Sequence, residues 1–317
     1  KVAGREHFVL QRQLDRTAGS EVWLAQHPKT REARVYKFAL DHDRLRSLKR
    51  EATLLRVLHD SLDQTDCFVE LLDWNFSTAP YFLECKYGGQ SLSQWAKEHL
   101  AALGTESRIA LFLKIADAVA AAHSVGVLHK DLKPSNILVS GDAVDQRVQL
   151  TDFGSGLMLE PDNLAQLGIT RLGMTIDERA FADSSSGTPI YLAPELFAGQ
   201  AATLKSDVFA LGILLYQLLS GRIDQPMVSD WEQEITAPLL REDLRLASAG
   251  DPTQRFGSVS ELTTRLRNLK TRADEASRAA AARAEVEADK QRLTLARARK
   301  PYLVGLFTVL VAGVCIA

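Results

Sequence analysis

Cysteine is scarce in this 317-residue chain. Its three cysteines, Cys67, Cys85 and Cys315, stand far apart, and no two form a CxxC pair. That excludes a disulfide framework and a cysteine-based zinc site, and it suits a reducing compartment. An excess of one charge is also missing. Lys and Arg number 38 against 40 Asp and Glu, for a net charge of -2. Nucleic acid is therefore not expected as a partner, because binding a phosphate backbone rests on a basic surface. No charged segment followed by an apolar one opens the chain as a signal peptide would. It starts on Lys1 rather than Met, and the natural chain is expected to begin further upstream. What is present is apolar material, 46% of residues, which excludes disorder and supplies a core for one large domain or two.

Three compositions follow one another. From Phe8 to Tyr87 the pattern is one of short strands around one helix. Phe8–Leu14, Glu21–Ala25, Arg34–Leu40, Phe68–Phe76 and Tyr81–Cys85 carry β-branched and aromatic residues between turn-formers. Leu45–Leu58 places Leu48, Leu54, Leu55 and Leu58 at helical spacing. After Gly88-Gly89 the chain turns mostly helical, from Ser91 to Leu269. A stripe through Ile109, Phe112, Leu113, Ala116, Val119 and Ala120 predicts one long helix with Thr105 as a candidate cap, and Val208–Leu219 predicts a fully buried one. Two short apolar runs, Ile137–Val139 and Val148–Leu150, lie between them. A strand-rich small lobe before a helical large lobe is an α+β arrangement, with a ligand expected in the crevice between.

The third composition, Lys270–Lys300, is rich in Ala, Arg and Glu. It should be helical by propensity, yet it has no wide apolar face for a core. Pro301–Ala317 then carries no charge and has the make-up of a membrane span at the short limit of length. Arg297, Arg299 and Lys300 precede it, which places the preceding domain on the cytoplasmic side. The expectation is a single-pass protein of the plasma or inner membrane, cut inside or just after its span.

The chemistry concentrates in HKDLKPSN at residues 129–136, TDFG at 151–154 and GTPIYLAPE at 187–195. Two acids and an Asn on loops beside short strands suit a Mg²⁺ and phosphate site, since Mg²⁺ takes oxygen ligands shared with substrate phosphates. In this order the three segments resemble the catalytic loop, magnesium loop and activation-segment end of eukaryotic-like Ser/Thr protein kinases, of the bacterial membrane-anchored, receptor-like type. The resemblance implies a two-lobe kinase fold over residues 8–269, with a small lobe at about 8–83, a hinge at 84–87 and a large lobe at 88–269. A charged helix at 270–300 and the transmembrane segment at 301–317 would follow.

The resemblance also implies roles. Asp131 would accept the proton of the substrate hydroxyl, and Lys133 would stand near the transferring phosphoryl group. Asn136 and Asp152 would hold Mg²⁺, or Mn²⁺ in its place. Lys37 would contact the ATP phosphates and Glu51 would hold Lys37. Val22, Val35 and Leu138 would enclose the adenine, with Leu83 as gatekeeper and Glu84 to Lys86 offering backbone to the base. Asp207 would brace the catalytic loop, and Glu195 would pair with Arg255. Lys133 and Thr188 point to Ser and Thr, so the partners implied are protein substrates, with self-phosphorylation and a homodimer left open.

The sequence departs from the family pattern in its nucleotide loop. LDRTAGSEVWLA places Asp15, Thr17 and Ser20 where glycines are expected, with Gly19 displaced by one. Glycine permits close backbone approach to phosphates, so weaker ATP binding is expected. A pseudokinase scaffold that binds nucleotide without transferring phosphate is the alternative reading. Lys130 replaces the usual Arg, a point charge in place of a fork. Thr170, Thr175, Ser184, Ser185 and Ser186 are candidate phosphorylation sites in a long segment after Asp152.

Overall fold

The computed structural model describes residues 2, 4–142, 145–159 and 189–314, with side chains described as far as residue 295. Thr188 and the candidate phosphorylation sites of the 163–186 segment lie outside the described residues. The chain divides into a compact unit, Lys1–Leu266, and a second unit, Arg267–Ala317.

The first part of the compact unit is a five-stranded sheet in the order β1-β2-β3-β5-β4. Its antiparallel strands are β1 (Val9–Arg16), β2 (Ser20–Gln26), β3 (Ala33–Ala39), β4 (Leu71–Asn75) and β5 (Tyr81–Lys86). Helix α1 (His42–Ser61) crosses it, longer at both ends than its apolar spacing predicts. Asp41 extends the start, because its carboxylate accepts the Arg44 N–H and caps the helix. Phe68 and Val69 do not join β4. Val69 N–H donates to Leu150 O at 3.0 Å, and Leu150 N–H to Cys67 O at 2.8 Å. These bonds stitch the small lobe to the strands of the large one.

The period of two in each strand sorts the side chains. One face buries Phe8, Ala25, Tyr36 and Phe82 in an apolar cluster, while Ala39 and Leu83 on the other pack against Leu45, Leu48 and Ala52 of α1. Burying groups of this kind is the main favourable term in folding.

Past the short strand β6 (Gln90–Ser91) come α2 (Leu92–His99) and α3 (Thr105–Ser124). Thr105 opens α3 rather than capping it. Gly104 holds the cap position with no side-chain bond. Next come β7 (Val127–Leu128), β8 (Ile137–Ser140), β9 (Arg147–Leu150) and β10 (Leu157–Met158). These form a β6-β8-β9 sheet and a β10-β7 pair. Helix α4 (Leu204–Ser220) is buried nearly all round, as its uniform apolarity predicts. A capping box of Thr203 and Ser206 starts it, and Gly221 at φ 77° ends it in the left-handed region. Arg108 of α3 donates to Leu218 O and Leu219 O at 3.2 and 2.9 Å, which sets a cation on the negative end of the α4 dipole. Helices α5 (Pro238–Ala247) and α6 (Val259–Arg267) complete the lobe.

In the second unit the backbone is one helix, α7 (Leu269–Val314), which runs through Pro301 without a break at the predicted linker–span boundary. The span expected at 301–317 has its side chains outside the described residues. Among the described residues no helix is long and apolar enough to cross a membrane.

Candidate active site

A cavity of about 510 Å³ is bordered by the β1–β2 hairpin, β3, α1, β5 and the loops around β8 and β9. Val22, Val35, Lys37, Glu51, Asp131, Lys133, Asn136, Leu138 and Asp152 all line it. Residues as far apart in sequence as Val22 and Asp152 are thus brought to one space.

Lys37 is delivered by β3 and Glu51 by α1. Their side chains are 13% and 1% exposed, and Lys37 Nζ stands 2.6 Å from Glu51 Oε1. Burial opposes the ammonium charge, but Glu51 and Asp152 outweigh it and hold the Lys37 pKa above its usual value. The same Glu51 oxygen accepts the Asp152 backbone N–H at 3.0 Å, and Lys37 also donates to Thr151 Oγ1 at 3.2 Å. One buried carboxylate therefore ties the β3 cation to the loop that carries Asp152. Asp152 sits at φ 66°, in the region most residues avoid. Burial works against its charge too, yet Lys37, Lys133, His129 and Arg44 hold its pKa below the usual carboxylate range. It is an ionised oxygen donor at the cavity wall.

The catalytic loop is fixed from behind by Asp207, which opens α4. Asp207 accepts the backbone N–H groups of His129 at 3.0 Å and Lys130 at 2.9 Å, and His123 Nε2 lies 2.8 Å away. Burial is opposed by His123 and the His129 N–H, so its pKa also falls. Lys130 is held at φ 67°. Two left-handed non-glycine residues, each with its N–H on a buried carboxylate, mark the site as a place where strain is stored for geometry. The His129 ring lies 4.6 Å from that of Phe153, and Phe68 meets Phe153 edge to face at 6.1 Å. These rings continue the apolar packing between the lobes.

In front of this frame, Asp131 Oδ2 receives Lys133 Nζ at 2.7 Å and Asn136 Nδ2 at 3.1 Å. Asn136 Nδ2 also donates to Asp131 O at 2.8 Å. Its amide hydrogens are thereby committed to Asp131, and Oδ1 is the atom it offers a cation. Asp131 Oδ1 carries no hydrogen bond to a described residue. Among the described residues no group of three or more His, Cys, Asp or Glu is set to hold a metal by itself. Asp152 and Asn136 together fit Mg²⁺, an ion that keeps other positions for water and substrate phosphates.

At the hinge the structure divides the expected residues, with Cys85 and Lys86 on the cavity and Leu83 and Glu84 away from it. Val35 faces Cys85 and Lys37 faces Leu83 across the β3–β5 pair. Directly opposed side chains share a face, so Leu83 and Cys85 point the same way and Glu84 points the other. Leu83 packs against α1 and is absent from the cavity lining, while Cys85 lines it. Glu84 is fully buried behind the hinge, where Arg34 and Arg5 pair with it, the latter at 2.8 Å. Burial is outweighed by those two arginines, which keep its pKa low. The Lys86 N–H is taken by Glu70 O at 2.9 Å, and its ammonium pairs with Glu70 at 3.0 Å. Of the expected 84–86 stretch, Cys85 and Lys86 line the cavity and Glu84 does not, and Tyr87 and Gly89 extend the lining beyond it. Arg5, Arg34 and Arg44, a further residue of the cavity wall, escaped the sequence reading. Strand alternation on β3 was the available signal for Arg34, which shares its face with Tyr36.

Away from the cavity, Arg255 and Glu195 form a two-bond ion pair at 2.8 Å each, both buried, with Ser206 Oγ on the same carboxylate at 2.9 Å.

With this geometry in hand, comparison with known proteins is decisive. The protein kinase domain model matches residues 8–284. The chain belongs to the protein kinase family. It is 28% identical over 285 residues to the serine/threonine-protein kinase PknD of Chlamydia caviae, covering 81% of this chain and 30% of the relative. It is 32% identical over 213 residues to the serine/threonine-protein kinase PkaA of Streptomyces coelicolor, covering 65% of this chain and 35% of the relative. The chain thus spans about a third of the length of these relatives. Its fold matches a double-mutant form of the Mycobacterium tuberculosis PknI kinase domain with a TM-score of 0.57 at 24% identity, covering 83% of this chain and 96% of that one.

Proposed function

We propose that this kinase domain transfers the γ-phosphoryl group of ATP to Ser or Thr hydroxyls of protein substrates. The observation that carries the reading is the cavity itself, where Lys37–Glu51–Asp152 and Asp131–Lys133–Asn136 are assembled together. Asp131 accepts the hydroxyl proton through Oδ1, since Oδ2 is held by Lys133 and Asn136. The hydroxyl oxygen bonds to the γ-phosphorus, the bond to the β-phosphate oxygen breaks, and ADP leaves. Lys133 offers a cation beside that exchange, and Lys37 one at the phosphates further in. Bound Mg²⁺ on Asp152 and Asn136 would supply charge neutralisation at the phosphates. Relatives named as Ser/Thr kinases favour protein hydroxyls over small molecules. No observation favours the scaffold reading, because none of the six residues is replaced or displaced.

The decisive test is incorporation of labelled γ-phosphate from Mg²⁺-ATP by the chain, beside Asp131→Asn and Lys37→Met. Label on Ser or Thr in the parent and in neither variant supports the reading. ATP binding without transfer to itself or to any protein substrate would sink it.

Membrane anchoring is proposed on the charge-free 301–317 stretch and the basic residues Arg297, Arg299 and Lys300 before it. Protease protection in inverted vesicles tests it. A kinase domain released by carbonate wash would refute single-pass insertion.

A further inference from the structure

The lid over the phosphate end has lost its three expected glycines, and the structure shows what stands there in their place. The β1–β2 hairpin closes with Thr17 N–H donating to Ser20 O at 2.9 Å, and Leu40 N–H ties its tip down through Gly19 O at 2.9 Å. Gly19 lies against the start of α1. A Cβ there would fall 2.0 Å from Asp41 Oδ2 and 2.9 Å from Arg44 Cγ, so any larger residue would have to displace the Asp41 side chain. Arg44, on the first turn of α1, therefore stands directly beside the lid tip. Its backbone position is fixed, because its N–H donates to the Asp41 cap at 2.7 Å.

The Arg44 side chain lines the cavity with Asp15, Thr17, Ser20, Ser47 and Asp152. It makes no hydrogen bond or ion pair with any described residue, although Asp41 and Asp43 are near in sequence and Asp43 is paired with Arg46. Thr17 Oγ1 is likewise buried and without a partner among the described residues. Arg44, whose charge acts on Asp152, and the Thr17 hydroxyl, which has no partner among the described residues, thus line the same cavity as Lys37 and Asp152.

We propose that Arg44, with the Thr17 hydroxyl, binds the terminal phosphate of ATP and replaces the backbone cradle that the missing glycines would have made. This rests on the kinase reading of the cavity. A guanidinium gives charge-assisted hydrogen bonds to a phosphate, and a fork of donors suits its oxygens. The terminal phosphate carries the most charge, so selectivity for ATP over ADP follows from the same contact.

The test is equilibrium binding of Mg²⁺-ATP, Mg²⁺-ADP and adenosine to the full chain by calorimetry, for the parent, Arg44→Ala and Arg44→Lys. Arg44→Ala is expected to weaken ATP about tenfold, the loss of one charge-assisted contact. ADP should weaken less, adenosine should be unchanged, and Arg44→Lys should recover part of the loss. An equal loss for ATP and adenosine, or no loss for ATP, overturns the proposal. A parent that binds adenosine and ATP equally overturns it too. A parent that binds none of the three sinks the kinase reading instead.

Discussion

Arg255 offers the sharpest test of what holds the large lobe in register. All five N–H groups of its guanidinium are engaged. Nε donates to Ala249 O at 2.6 Å, Nη1 to Glu195 Oε1 at 2.8 Å and Lys205 O at 3.0 Å, and Nη2 to Glu195 Oε2 at 2.8 Å and Gly250 O at 3.1 Å. The two side chains are 0% and 5% exposed. Arg255→Leu keeps the bulk but leaves the Glu195 carboxylate with Ser206 Oγ as its described side-chain partner. An uncompensated buried charge costs about 3–5 kcal/mol, against a total stability of about 5–15 kcal/mol for a typical domain. The pH dependence follows from the same pair. Burial raises the Glu195 pKa, but Arg255, a backbone N–H and Ser206 together hold it below the ordinary 4.5. The folded value is the lower one, so the stabilisation is complete above the unfolded value and is lost as pH falls through the folded one. In Arg255→Leu, Glu195 keeps the burial without the partner and protonates at higher pH. The gap between parent and variant is therefore full at pH 7 and narrows towards pH 4. Urea unfolding followed by tryptophan fluorescence at both pH values measures it. A cost under about 1 kcal/mol at pH 7, or a gap that widens on acidification, would refute the reasoning.

Other outcomes are equally specific. Asp131→Asn should lower phosphoryl transfer by about a hundredfold to ten-thousandfold, with the dissociation constant for Mg²⁺-ATP within about threefold of the parent, as loss of a proton acceptor requires. Gly19→Ala should push Asp41 off its cap and cost about 1 kcal/mol in urea unfolding. In an Asp41→Ala background that penalty should shrink, and strict additivity of the two would show that the contact is not the cause. Cys85 is buried and its thiol is pushed up to about 12, chiefly by burial. Alkylation at pH 8 should leave it unmodified in the folded chain, and rapid labelling there would show that this wall of the cavity opens.

How far the site was legible depended on whether its residues fall within a contiguous motif. Asp131, Lys133, Asn136 and Asp152 sit in segments short enough that local sequence carries their relation to one another. Lys37 and Glu51 were legible by order along the chain. The hinge was not, because its assignment turns on one residue of register. Counting from motif order placed Leu83 at the gatekeeper, whereas the β3–β5 pairing sets Cys85 opposite Val35. A shift of one or two residues in a strand exchanges or re-ranks every side chain on a face. The alternation of Val35 and Lys37 contained this information, but only the partner strand's register turns it into an assignment for Leu83, Glu84 and Cys85.

The same limit explains Arg44 and the Arg5–Glu84–Arg34 cluster. Each joins elements that are separated in sequence by loops of no fixed geometry, and an arginine in such a place has the composition of a solvated surface residue. Loss of the glycines reads, from sequence, as pure loss: less close approach, weaker phosphate binding. In the fold the remaining glycine is used differently. Gly19 turns its bare Cα to Asp41 and Arg44, letting the lid tip close on the end of α1. Closure brings a guanidinium to the cavity wall where the usual loop brings amides. In the proposed arrangement the phosphate-binding guanidinium is carried by α1 rather than by the lid, so it depends on where α1 sits. Any movement of α1 that parts Lys37 from Glu51 would withdraw Arg44 in the same step, so that nucleotide affinity and catalytic assembly are lost together.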